Sequence, residues 1–261
     1  MKILVLVKHV PDTETVIKLS SDKKNILEND FKYMMNPCDD YAIEEALRTQ
    51  EKFSGSETLV VSLGPTRCQE IIRKALAMGI DRGVWINTEG TNHYFDSYLV
   101  SLAISKVVEE EKPDLIFAGL NTTDEGAGNV GLMVAEFYKA GSLLNVSKLE
   151  WDPSGKKCVA YRDVEGGVVE KYEAELPLLI APHQNLNEPR LTSLPGIMKA
   201  KKKPISEKKV GDLLQNHSNL ISVESYQLPP VKPPGKIFKG KPVEEMVAEV
   251  VKLLRQEAKA I

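Results

Sequence analysis

With 261 residues, 42% of them hydrophobic, the chain can bury one large core, or one core plus a peripheral arm. Lys and Arg number 34 against 37 Asp and Glu, a net charge of −3, so no overall positive field favours nucleic acid and only local basic patches remain. Cys38, Cys68 and Cys158 are isolated, odd in number and without a CxxC, and His9, His93, His183 and His217 share no metal-ligand spacing; neither a disulfide framework nor a sequence-local metal site is expected.

Met1-Lys2 leads directly into Ile3-Leu4-Val5-Leu6-Val7, an apolar run of strand length with no cationic leader long enough for targeting. No segment approaches the length of a membrane-spanning helix. The expectation is the soluble interior of a cell, either a bacterial cytoplasm or an imported protein stripped of its targeting segment. Strand and helix signals then alternate. Ala42–Lys52, after Asp39-Asp40, reads as a helix, Thr58–Ser62 as a β-branched strand, and Arg67–Met78 as a helix with an apolar side. Val84–Asn87 is a short strand, Phe95–Glu110 an apolar-faced helix, Leu115–Ala118 a buried strand, and Val130–Tyr138 the next helix. This order predicts parallel βαβ units with ligand sites at the carboxyl ends of the strands.

Three loops fall at those ends: Lys8–Asp12, Ser62–Thr66 and Gly119–Gly131. The third runs glycine-rich into a helix start, where free N–H groups and the positive helix end suit a phosphate, while Asn121, Thr122 and Asn129 suit a ribose or adenine. The alternative is an ordinary βα loop whose glycines serve only the turn. There is no GxGxxG after the first strand, no GxxxxGK[ST], no GxSxG and no HExxH. Binding without hydrolysis follows, with no catalytic constellation and Asp124 and Glu125 as solvated or ribose-facing acids.

From Gly141 onward the pattern changes. Leu149–Trp151, Lys157–Tyr161 and Gly167–Glu173 read as appended antiparallel strands, and Leu176–Ala181 as a returning core strand. Asn185–Pro204 reads as an exposed partner-docking loop, interrupted by Pro189 and Pro195 and turned at Gly196, with Leu194, Ile197 and Met198 as an apolar knob and Lys199, Lys201, Lys202 and Lys203 as a cationic rim. The competing reading is a buried loop leading into a solvated lysine run. Gly211–Val223 shows little periodicity. A Pro-rich link, Leu228–Pro234, then precedes a helix from Pro242 that carries Val243, Met246, Val247, Val250 and Leu254 on one stripe, either an arm for a partner or a helix packed back on its own domain.

VLVKHVPDT, MNPCDDYAIEEALR, VSLGPTRCQEIIRKALAMGIDRG and NLNEPRLTSLPGIMKAKKKPI together resemble the beta subunit of electron transfer flavoprotein, and the resemblance runs through almost the whole chain. It implies a Rossmann-like α/β fold, with helices on both faces of a parallel sheet, an appended antiparallel hairpin region and an extended C-terminal arm. The implied domains are a nucleotide-binding core at 1–227, including the 185–204 recognition loop, and a linker plus partner-binding helix at 228–261. The implied cofactors are a structural AMP in this chain and a redox FAD borne mostly by an alpha subunit. The implied partners are that alpha subunit, acyl-CoA-type dehydrogenases and a quinone oxidoreductase, with no stable membrane insertion, in the cytoplasm of a bacterium or the mitochondrial matrix of a eukaryote.

By position, the resemblance assigns Leu6, Leu63, Thr122, Glu125, Gly128, Asn129, Val130 and Gly131 to the nucleotide, and Asp163 to the neighbourhood of the FAD. It assigns Leu194 to the pocket of the dehydrogenase, with Pro195, Ile197, Met198, Lys201 and Lys202 beside it. GLNTTDEGAGNVG departs from the GKQAIDDD or GKQAIDGD of many relatives, so backbone contacts carry over there before side-chain contacts. Two other readings stand beside this one. A bifurcating flavoprotein would place a second FAD in the nucleotide site; VKHVPDT resembles the VKQVPDT of that group, while QAIDGDTAQVG is missing. A stress-protein-like nucleotide module without a redox role would need only the βα loops.

Overall fold

Runs of apolar, β-branched residues form the central strands: β1 (Lys2–Leu6), β4 (Glu57–Gly64), β5 (Arg82–Asn87), β6 (Leu115–Ala118) and β10 (Leu178–Pro182). The structure, a computed structural model, describes residues 1–91, 95–232 and 234–261; His93 and Pro233 of the sequence reading lie outside the described residues. With β7 (Gly141–Trp151), β8 (Lys157–Asp163), β9 (Val169–Glu175) and β11 (Ile205–Lys209), these strands make one nine-stranded sheet in the order β11-β5-β4-β1-β6-β10-β7-β8-β9. The pairings from β11 to β7 are parallel, and β7-β8-β9 are antiparallel.

Strands buried on both faces need cover on both. On one side, α1 (Pro37–Lys52), α2 (Gln69–Met78) and the short α5 (Leu194–Ala200) close over Ile3, Val5, Val60 and Phe117. On the other, α3 (Ser97–Glu111), α4 (Asn129–Tyr138) and α6 (Val210–Leu214) cover Leu4, Leu59, Ile116 and Leu179. The chain is therefore a mixed α/β protein whose helices sandwich a multi-stranded sheet. No helix among the described residues is long and apolar enough to cross a membrane.

Several expectations shift. The first helix opens at Pro37 rather than after Asp39-Asp40, because Pro at the first helical turn loses no hydrogen bond and the two acids favour the positive helix end. Lys8–Asp12 is not a plain loop: β2 (His9–Pro11) pairs antiparallel with β3 (Tyr33–Met35), sending residues 12–32 outward. The docking loop contains a helix, α5, in which Pro195 sits in the first turn and Ser193 caps it by accepting from Gly196 N–H at 3.1 Å. Gly196 is needed for contact rather than for a turn, since a Cβ there would lie 2.5 Å from the Ala77 carbonyl oxygen of α2. α7 (Val243–Gln256) starts where expected, and none of its residues is buried. Its ion pairs, Lys241–Glu249 at 2.9 Å and Lys236–Glu257 at 2.5 Å, are with the segment that leads into it.

Candidate functional site: a cleft at the strand ends and an exposed apolar helix

Because β1, β4 and β6 are neighbours and parallel, the loops after them open on one edge of the sheet. They enclose a cleft of about 390 Å³. Its floor and walls are apolar, from Leu6, Val61, Leu63, Phe95, Val100 and Val130, and its rim is polar. Wider hollows of 510 and 600 Å³ lie elsewhere on the surface, and no strand ends converge on them.

Leu6, Leu63, Thr122, Glu125, Gly128, Asn129, Val130 and Gly131 all line this cleft. Gly128 has φ of +62° and caps α4, and a Cβ there would stand 2.9 Å from the Leu120 carbonyl oxygen. Only glycine fits both demands. No side chain caps α4, so the amides of its first turn face the loop without a side-chain acceptor. Gly131 lets α4 approach the sheet, with a Cβ at 3.3 Å from that of Ala118.

Beneath the loop lies a buried polar network that the sequence reading missed. Lys8 N–H donates to Asp39 Oδ2 at 2.7 Å, and Asn36 Nδ2 donates to Asp39 Oδ1 at 2.8 Å and to Asn121 O at 2.9 Å. Thr123 N–H in turn donates to Asn36 Oδ1 at 3.3 Å. Gly119 makes room for this pair, since a Cβ there would sit 2.1 Å from Asp39 Oδ1. Burial pushes the Asp39 carboxyl up to about 7 against the opposing pull of the Lys8 and Asn36 hydrogen bonds. Lys8 Nζ also reaches Asp124 at 2.9 Å and Glu125 at 3.6 Å, tying the first strand-end loop to the third. Burial raises the Asp124 carboxyl, but hydrogen bonds from Thr122 and Lys8 outweigh it and hold the group below its usual range.

Arg67 on the cleft wall stacks over Tyr33 at 4.1 Å and reaches Glu28 at 3.3 Å, joining the 12–32 excursion to the rim. Asp163 stands apart: it ends β8, its carbonyl accepts from Asn145 Nδ2 at 2.8 Å, and it does not line the cleft. Among the described residues no cluster of three or more His, Cys, Asp or Glu is arranged for a metal ion. The cleft thus sets an apolar surface beside a glycine-capped helix start and the polar groups of its rim.

The second feature is α5. Leu194 is 73% exposed, Met198 65% and Ile197 42%, with Pro195, Lys201 and Lys202 exposed beside them. The segment before it is fastened to α1: Arg190 contacts Glu44 Oε2 at 2.7 Å and Glu51 at 2.6 Å, and Asn187 donates to Glu45 at 3.0 Å. The segment after it is fastened to α2, where Arg73 donates to the carbonyls of Ala200 and Lys203 at 2.7 Å. Lys203 is no part of the cationic rim. Its ammonium caps α2 through the carbonyls of Leu76, Gly79 and Ile80, and burial lowers its pKa.

An Electron transfer flavoprotein domain profile matches residues 24–213. The chain is 40% identical to "Electron transfer flavoprotein subunit beta" of Bacillus subtilis, over 100% of both chains. It is 38% identical to the protein of that name from Bradyrhizobium diazoefficiens over 99% of each chain, and 35% identical to the human one over 98% of each.

Proposed function

The chain belongs to the electron transfer flavoprotein beta-subunit family, and from that premise we propose that it holds a structural AMP in the strand-end cleft, pairs with an FAD-bearing alpha subunit, and helps carry electrons from acyl-CoA-type dehydrogenases to a quinone oxidoreductase. The carrying observation is the cleft itself: an apolar slot beside a helix start whose glycine cap, at φ of +62°, leaves no room for a side chain. Leu6, Leu63 and Val130 would flank the adenine, the amides of Asn129 to Gly131 would take the phosphate, and Thr122 and Glu125 would face the ribose. FAD, when bound, supplies the electron chemistry. This chain excludes water around its share of the flavin, with Asp163 on the hairpin that would meet the alpha subunit, and presents α5 to the dehydrogenase.

Leu194 is the apolar anchor in this reading, and Lys201 and Lys202 steer the encounter toward an acidic surface. α7 would lay its apolar stripe on the alpha subunit. The test is composition. Ligands released from the purified heterodimer should amount to one FAD and one AMP, and Gly128→Ala should lower the AMP content while leaving the FAD. Two flavins per heterodimer would instead place a second FAD in the cleft, and no adenine nucleotide at all would refute the assignment.

A further inference from the structure

Asp96 is 1% exposed and serves two segments at once. Its Oδ1 caps α3 by accepting from Leu99 N–H at 2.9 Å. Its Oδ2 accepts from the backbone N–H groups of Leu220 and Ile221 at 2.6 and 3.1 Å, and its own N–H donates to Asn219 Oδ1 at 2.8 Å. Leu220 and Ile221 are 73% and 64% exposed, so apolar burial does not hold this stretch in place. Its backbone is fastened instead by these hydrogen bonds to Asp96. Farther along, Tyr226 N–H donates to Lys23 O at 2.8 Å, and the chain continues toward α7.

The residues on either side of Asp96, Phe95 and Ser97, line the cleft. One turn into α3, Ser101 Oγ donates to Ser97 O at 2.5 Å and lies 3.4 Å from Val130 O on α4, where the two helices pack together. A fixed path therefore runs from the 219–221 strap through one carboxylate to a cleft wall and on to the helix whose amides would hold phosphate.

We infer that Asp96 is a positioning residue that couples docking of the 219–221 strap to nucleotide retention in the cleft, so that a partner drawing the C-terminal segment away from Asp96 loosens the nucleotide. The inference rests on the nucleotide reading of the cleft. By reciprocity, bound nucleotide protects the strap as much as the docked strap favours nucleotide.

Two full-length variants separate the strap from the cap. Asp96→Asn keeps a good helix cap, but its NH2 would face the Leu220 and Ile221 N–H groups. Leu220→Pro removes one of those N–H groups and leaves Asp96 untouched. Hydrogen exchange at 219–221 and in α3, with AMP titrated calorimetrically, reads both ends. Faster exchange of the strap, unchanged protection of α3 and an AMP dissociation constant raised about fivefold or more in both variants would support the coupling. A released strap with wild-type AMP affinity would overturn it, as would a strap that stays protected in both variants. Failure of the wild-type chain to bind AMP would sink the nucleotide reading itself, and the coupling with it.

Discussion

Asp39 is a carboxylate that the fold buries at the edge of the cleft. It is 3% exposed, faced by Lys8 and by the neighbouring Asp40, and burial raises its pKa from an ordinary 3.8 to about 7. Between those values the folded chain keeps a proton that the unfolded chain has released. This residue's contribution to stability therefore falls as pH rises through that window and is level above it. The lowered carboxyls, Glu44, Glu111 and Asp124, act in the opposite sense and cancel when wild type is compared with Asp39→Asn. Urea melts from pH 5 to 8 should show the variant gaining on wild type by about 2–3 kcal/mol as pH rises. A difference that stays flat with pH would mean that Asp39 is ionised throughout. The glycine cradle was legible in sequence because Gly126, Gly128 and Gly131 crowd a strand-to-helix junction. Asn36 and Asp39 were not, because Asn-Pro followed by two acids reads as a helix entrance, and nothing in the polarity pattern tells a buried polar pair from a solvated one.

At the scale of the element, α5 is a helix too short to stand alone, held by its anchors. Arg190→Ala would leave Glu44, whose side chain is 5% exposed, without its main cation, and should cost about 1–3 kcal/mol after solvent screening. Leu194→Ala touches only an exposed side chain. It should leave the melting temperature within experimental error and slow flavin reduction by the dehydrogenase, with the loss of an anchor worth on the order of 1–3 kcal/mol. Replacing Lys201 and Lys202 by Gln should give a smaller loss that vanishes at high salt. Stopped-flow reduction at several ionic strengths separates these effects. Equal rates for wild type and Leu194→Ala at every dehydrogenase concentration would remove α5 from the docking surface. Pro and Gly disguised this helix in the sequence, since Pro195 falls where a helix tolerates it and Gly196 serves a close crossing with α2.

Across the whole molecule, deleting residues 241–261 removes no buried side chain, so the melting temperature of the remaining chain should hold. Association with the alpha subunit should weaken, and an unchanged dissociation constant would show that α7 is no part of that contact. The βα core was legible because strands covered on both faces are apolar throughout, and Leu115–Ala118 is placed to the residue. β11 was missed. Ile205–Lys209 is Ile-Ser-Glu-Lys-Lys, paired on one side only, and its charges erase the alternation that marks a strand. Those charges bear on how the chain behaves before it meets a partner. The open sheet ends at β11 on one side and at β9, Val-Glu-Lys-Tyr-Glu-Ala-Glu, on the other, each offering unpaired backbone groups to any passing strand. Lysine and glutamate along both edges make edge-to-edge stacking of copies costly, so a beta chain synthesised ahead of its partner is guarded against fibrillar aggregation along the two borders where its own hydrogen bonding stops.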